Sequence, residues 1–179
     1  MPSQYSENRS NLCSFPIFIR GTSMEDCLIG RPTPDQDYAD FFRHHDLRAQ
    51  YPELTIPPAS FVASGANIIA FEKGKSITLT FPVREDQTNP IGSLQGGVLA
   101  SFIDDAFGTL SFASTLKPCV SIDMHVNFIR PAKPGEFVKV KAEFKARGAK
   151  LLHLYAEVVS GKGKLIATAS SNMLILDSR

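Results

Sequence analysis

The sequence predicts an α+β domain, with one antiparallel sheet of about six strands laid over a single long helix. Three observations carry the prediction. Several runs alternate apolar and polar residues with a period of two, which marks strands with one buried face. One stretch, "VLASFIDDAFGTLSFAST" after Gly96 and Gly97, is apolar at nearly every position and reads as a buried helix. Short turn signals, "EKGK", "RPAKPGE", "RGAK" and "SGKGK", separate the runs.

The elements follow in order. Residues 1–35 are polar and include the loop-like "GRPTPDQD", and residues 35–50 suit a short helix with Asp35 as N-cap. "IPP" at 56–58 punctuates the chain, so residues 1–58 are assigned to an N-terminal arm, partly helical or irregular, and residues 59–179 to the main domain. Two strand-like runs flank "EKGK", and in the second Ile77, Leu79 and Phe81 alternate with Ser76, Thr78 and Thr80. The helix comes next. Beyond Pro118, Val120, Ile122, Met124, Val126 and Phe128 alternate with Ser121, Asp123, His125 and Asn127. Three more strands are expected after the remaining turns, and the series of short turns predicts an antiparallel meander. A helix apolar nearly all round would be left partly bare by one sheet, which predicts a homodimer.

Composition narrows the function. A formal charge of +1 over 179 residues gives no general attraction to nucleic acid or to an anionic membrane, so neither partner is expected. No run approaches the roughly 18 apolar residues that would suggest a membrane span, and no leader signature opens the chain. Cys13, Cys27 and Cys119 form neither a disulfide framework nor a CxxC pair and read as reduced thiols of a cytoplasmic protein. No cluster has metal-ligand spacing, so no metal or cofactor is expected.

The chemistry concentrates in "NPIGSLQGGVLASFIDDAFG". Gly96 and Gly97 fall where the helix starts, and the first amides of a helix lack intrahelical partners. With no side chains in the way, an acyl carbonyl or its tetrahedral oxyanion can approach those N–H groups. Glycines there can equally serve a tight turn. Asp104 lies two turns along the same face, on a stripe with Gly97, Ser101, Gly108 and Ser111, whereas Asp105 is rotated away and reads as structural. A carboxylate in an apolar setting gains basicity, which suits a general base or a nucleophile on a thioester or ester. Asn89 can orient a water or a carbonyl, though Asn before Pro is also ordinary turn chemistry. Ser121 and Asp123 share the polar side of the following strand and face either a cleft or solvent.

"TNPIGSLQGGVLASFIDDAFG" followed by "VSIDMHVNFIRPAKPGE" resembles the hotdog-fold acyl-CoA thioesterases of the PaaI-like and 4-hydroxybenzoyl-CoA thioesterase type, over roughly residues 60–176. The resemblance implies a hotdog fold and hydrolysis of an acyl-CoA without a cofactor. It implies that Gly96 polarises the carbonyl, that Asp104 is base or nucleophile, and that Asn89 and Ser121 position the water. It also implies a site between subunits, in a homodimer or dimer of dimers. Gln95 and Gly97 would contact substrate, and Arg130 and Lys133, with Arg147 and Lys150, are candidates for the coenzyme A phosphates. The family's His before the two glycines is Gln95 here, which cannot shuttle a proton near neutral pH. That departure leaves a second reading open, an acyl-CoA binder without turnover. His125 and His153 read as strand-face residues; Phe102, Phe107 and Phe112 suit either an acyl tunnel or the core.

Overall fold

The computed structural model describes residues 51–177. The helix expected at 35–50 and the thiols of Cys13 and Cys27 lie outside them. Helix α1 (Ala59–Ser64) is followed by β1 (Asn67–Glu72), β2 (Ser76–Pro82), a 3-10 turn (Glu85–Gln87), and helix α2 (Gly96–Thr115). Strands β3 (Cys119–Phe128), β4 (Phe137–Arg147), β5 (Leu151–Ser160) and β6 (Leu165–Ile175) complete the order. The first strand-like run is therefore shorter than the pattern suggested. Pro58 starts a turn of helix instead, and Gly65, at φ 72°, ends it in the left-handed conformation that glycine adopts without strain.

All six strands form one antiparallel sheet in the order β1-β2-β4-β5-β6-β3. Strands β4, β5 and β6 make the expected meander. The "RPAKPGE" segment, however, is no hairpin turn, since β3 pairs with β6 at the far edge while β4 lies between β2 and β5. Three strand spacings separate β3 from β4, about 14 Å, and eight extended residues reach about 26 Å, so the link crosses with slack. It is tied down on the way. Ile129 and Arg130 donate their amides to the Ile166 carbonyl, and the Ala132 carbonyl accepts from Leu94 N at 2.9 Å.

Helix α2 packs Leu99, Phe102, Ile103, Ala106, Phe107 and Leu110 into a core shared with one face of the sheet. Phe102 stacks on Phe81 of β2, with ring centroids 4.3 Å apart, and Phe107 is fully buried, so these two belong to the core. Phe112 meets the ring of Tyr51, whose hydroxyl donates to the Leu116 carbonyl at 2.9 Å where the helix ends. Gly97, Ser101 and Asp104 remain exposed on the opposite side of the helix. The predicted stripe thus exists, but Ser111 leaves it. Its hydroxyl is buried against the Met173 sulfur at 3.1 Å.

Candidate active site

The start of α2 is built by its preceding loop. Asn89 O and N each bond within the loop, to Gly92 N and Ser93 O, and a Thr88–Leu94 bridge closes it. The Asn89 side-chain oxygen accepts the amides of Ile91 and Ser93, both at 3.1 Å. Asn89 therefore shapes the turn, as Asn before Pro so often does, and only its amide nitrogen is left for other work. Gln95 is the N-cap of α2, and its Oε1 accepts from Val98 N at 2.9 Å. This braces the loop without any proton transfer.

Both glycines have a steric reason. A Cβ at Gly97 would meet Gln95 Oε1 at 2.9 Å, and one at Gly96 would meet the Phe128 ring at 3.2 Å. Their amides nonetheless find no acceptor among the described residues, so two N–H groups at the positive end of a 20-residue helix stand open. The glycine pair thus lets the loop pack closely and leaves its two amides bare.

Two turns along, Ser121 Oγ donates to Asp104 Oδ1 at 2.7 Å. The two groups were placed by different elements, and their meeting depends on an irregularity in β3. Opposite β6, Ser121 pairs with Met173 and Asp123 with Asn172, so Ile122 is an extra residue, a β-bulge. Ser121 is thereby turned to the helix side. Val120 and Ile122, expected in the core, are instead 45% and 57% exposed, while Met124 and Val126 pack against it as the alternation predicts. An open pocket of about 450 Å³ results, lined by Gly97, Ala100, Ser101 and Asp104 of the helix and by residues 121–124.

The desolvated carboxylate is Asp105. Burial, and then the neighbouring Asp104 charge, push its pKa up to about 6, against a weak 3.5 Å bond from Ser64 Oγ. Asp123 lies on the outer sheet face, where its carboxylate takes two bonds from Asn172. His153 Nδ1 lies 2.8 Å from Asn172 Oδ1 on the same face. The basic candidates are divided. Arg130 is committed to the Leu165 carbonyl at 2.8 Å, Arg147 to the Gly74 carbonyl, and Lys150 to Asp177. The Lys133 side chain is exposed, and its ammonium has no partner among the described residues. Burial pushes the Cys119 thiol up, as suits an unreactive sulfur.

Comparison with known proteins bears on what such a site belongs to. A family model for the thioesterase superfamily matches residues 91–167, from the glycine loop to the start of β6. Residues 91–167 are thus similar to the thioesterase superfamily. Human acyl-coenzyme A thioesterase 13 is 35% identical over 88 residues, which is 48% of this chain and 62% of that protein. The chain thus matches somewhat under two thirds of that relative's length. The PaaI protein of the E. coli phenylacetic acid degradation operon shares the fold at a TM-score of 0.67 and 22% identity, over 79% of this chain and 96% of that one. A mutant form of the phenylacetic acid degradation protein PaaI from Thermus thermophilus is 25% identical, with a TM-score of 0.62, over 66% of this chain and all of that one. The described residues therefore have the hotdog fold, one long helix against a six-stranded antiparallel sheet. No helix among the described residues is long and apolar enough to cross a membrane.

Proposed function

We propose that this protein hydrolyses an acyl- or aryl-coenzyme A to the free acid and coenzyme A, at a site completed by a second copy of the chain. The observation that carries the reading is the 2.7 Å Ser121–Asp104 contact in an open pocket, on a helix whose first amides are unpartnered. Ser121 occupies one carboxylate oxygen of Asp104 and leaves the other for a water. Asp104 takes a proton as the water oxygen bonds to the thioester carbon. The negative charge moves to the carbonyl oxygen, where helix amides hold it more tightly than the ground state. The C–S bond then breaks, and the thiolate leaves with the proton from Asp104.

Distance is the reason for a second copy. Gly97 and Asp104 are seven residues apart on one helix, about 10 Å along its axis. A base and an oxyanion donor acting on one carbonyl must lie within about 6 Å of each other. One helix cannot meet that condition alone, whereas two antiparallel copies bring the start of one helix to the middle of the other. The outermost strand β3 supports this arrangement, since its free edge carries exposed Val120, Ile122 and Phe128. A dimer, or a dimer of dimers, covers them.

Lys133 is the cation best placed for a coenzyme A phosphate, because Ala132 is bonded to the loop that leads into α2. Arg130 supports β6 first. Gln95 holds the loop as a cap, and the acid–base work is assigned to Asp104. The scattered cysteines favour a cytoplasmic setting. Free-thiol release from short-chain, long-chain and aromatic acyl-CoAs tests the reading, with Asp104→Asn as control. Turnover abolished in a variant of unchanged oligomeric state is expected; no release by the wild type from any of them overturns it.

A further inference from the structure

The Ser121–Asp104 contact requires the bulge at Ile122, and a bulge breaks ladder bonds that something must replace. Regular pairing would put Ser121 on the same face as Asp123, which is the outer one. What stands immediately after the bulge is unusual. The Asp123 carboxylate accepts Asn172 N at 3.0 Å with one oxygen and Asn172 Nδ2 at 2.8 Å with the other. The Asp123 carbonyl accepts the hydroxyl of Ser171, a buried residue, at 2.7 Å. Three bonds to one residue thus join β3 to β6 where the ladder slips. One of them takes a β6 backbone amide with a side chain. On the far side, His153 Nδ1 meets Asn172 Oδ1 at 2.8 Å, which turns the NH₂ of that amide toward Asp123.

We infer that Asp123 is a positioning residue, clamped by Asn172 and Ser171 so that the bulge holds Ser121 against Asp104. The inference rests on the proposed role of the Ser121–Asp104 pair in thioester hydrolysis. Asp123 borders the pocket, but both of its carboxylate oxygens are bonded to Asn172, so it acts on the reaction through Ser121. Its carboxyl is held below the ordinary carboxylate range, first by the Asn172 side chain and then by the Asn172 backbone, with smaller contributions from the charges of His125 and His153. The carboxylate, the form that can accept both bonds, is therefore the one present at neutral pH.

The test is a double-mutant cycle between Asp123→Ala and Ser121→Ala, read as kcat and KM for a hydrolysed acyl-CoA. Each single change is expected to lower kcat about 100-fold with little change in KM, and the double variant to be no slower than Ser121→Ala. The exchanged pair Asp123→Asn with Asn172→Asp keeps both contacts and moves the charge to β6, and it should recover most of the activity. If Asp123→Ala does not fold, Asn172→Ala replaces it in the cycle, because it removes one prong and keeps the backbone bond. Losses that multiply overturn the inference, as does an exchanged pair no better than the singles. A crystal structure of the Asp123→Ala or Asn172→Ala protein decides the geometry without any substrate. Ser121 turned away from Asp104 supports the clamp, and an intact Ser121–Asp104 contact refutes it. A wild type that releases no thiol would sink the hydrolase reading and leave this structural readout standing.

Discussion

Replacing Asp105 by Asn should stabilise the protein, and only above about pH 5. Three influences compete at that carboxyl. Burial and the adjacent Asp104 charge disfavour the ionised form, while the Ser64 hydroxyl favours it from 3.5 Å, the outer limit of a hydrogen bond. The first two win, and the pKa rises from 3.8 to about 6 in the folded chain. The folded state then binds the proton more tightly than the unfolded one. Stability falls as pH rises from about 4 through about 6, opposite in sign to an ordinary paired carboxylate. The whole gap is worth about 3 kcal/mol, and because the group is only half-buried, solvent screening reduces it to about 1–2 kcal/mol. Asn keeps the shape and an acceptor for Ser64 without the charge. Thermal melting at fixed protein concentration, at about pH 8 and about pH 4, is the assay. A gain of about 3–10 °C at the higher pH and almost none at the lower is expected. An equal gain at both, or a loss at pH 8, would refute the argument that desolvation governs this residue.

Other changes separate packing from capping. Phe102→Ala removes a fully buried ring stacked on Phe81 and should cost about 3–5 kcal/mol in denaturant unfolding, unless the sheet collapses onto the gap. Gln95→Ala frees the Val98 amide and should cost about 1 kcal/mol, seen as a lower urea midpoint at constant slope. Tyr51→Phe deletes the bond to the Leu116 carbonyl while keeping the ring on Phe112; a loss of about 1 kcal/mol is expected by the same measurement. A larger loss would mean that the Leu116 carbonyl is left without a replacement partner.

Periodicity carried most of the architecture. The period of two in β2, β4 and β5, and the unbroken apolar stretch of α2, each describe which face is buried, and burial is what a linear pattern records. The helix start was legible for the same local reason, since a glycine pair followed by an apolar run leaves amides bare whatever surrounds it. So was Asp104, because a seven-residue spacing returns to one face of a helix wherever that helix lies. Gln95 was legible as a departure from a family pattern, but its work as a cap was not, because the cap depends on where one side chain turns.

Tertiary structure alone decided the rest. The link 129–136 reads as a turn, and only the occupied edges of β4 send β3 across to β6. "SID" carries no glycine or proline to announce a bulge, so alternation put Ser121 and Asp123 together, and the slipped register against β6 separates them. Likewise the spacing separates the two adjacent aspartates by face and gives the apolar setting to Asp104, yet α1 and Ser64 lie against Asp105 and leave Asp104 open. Local pattern determines which side of an element is apolar. Strand order, register and the desolvation of a single carboxylate arise from contacts between residues far apart in the chain, which no local pattern contains.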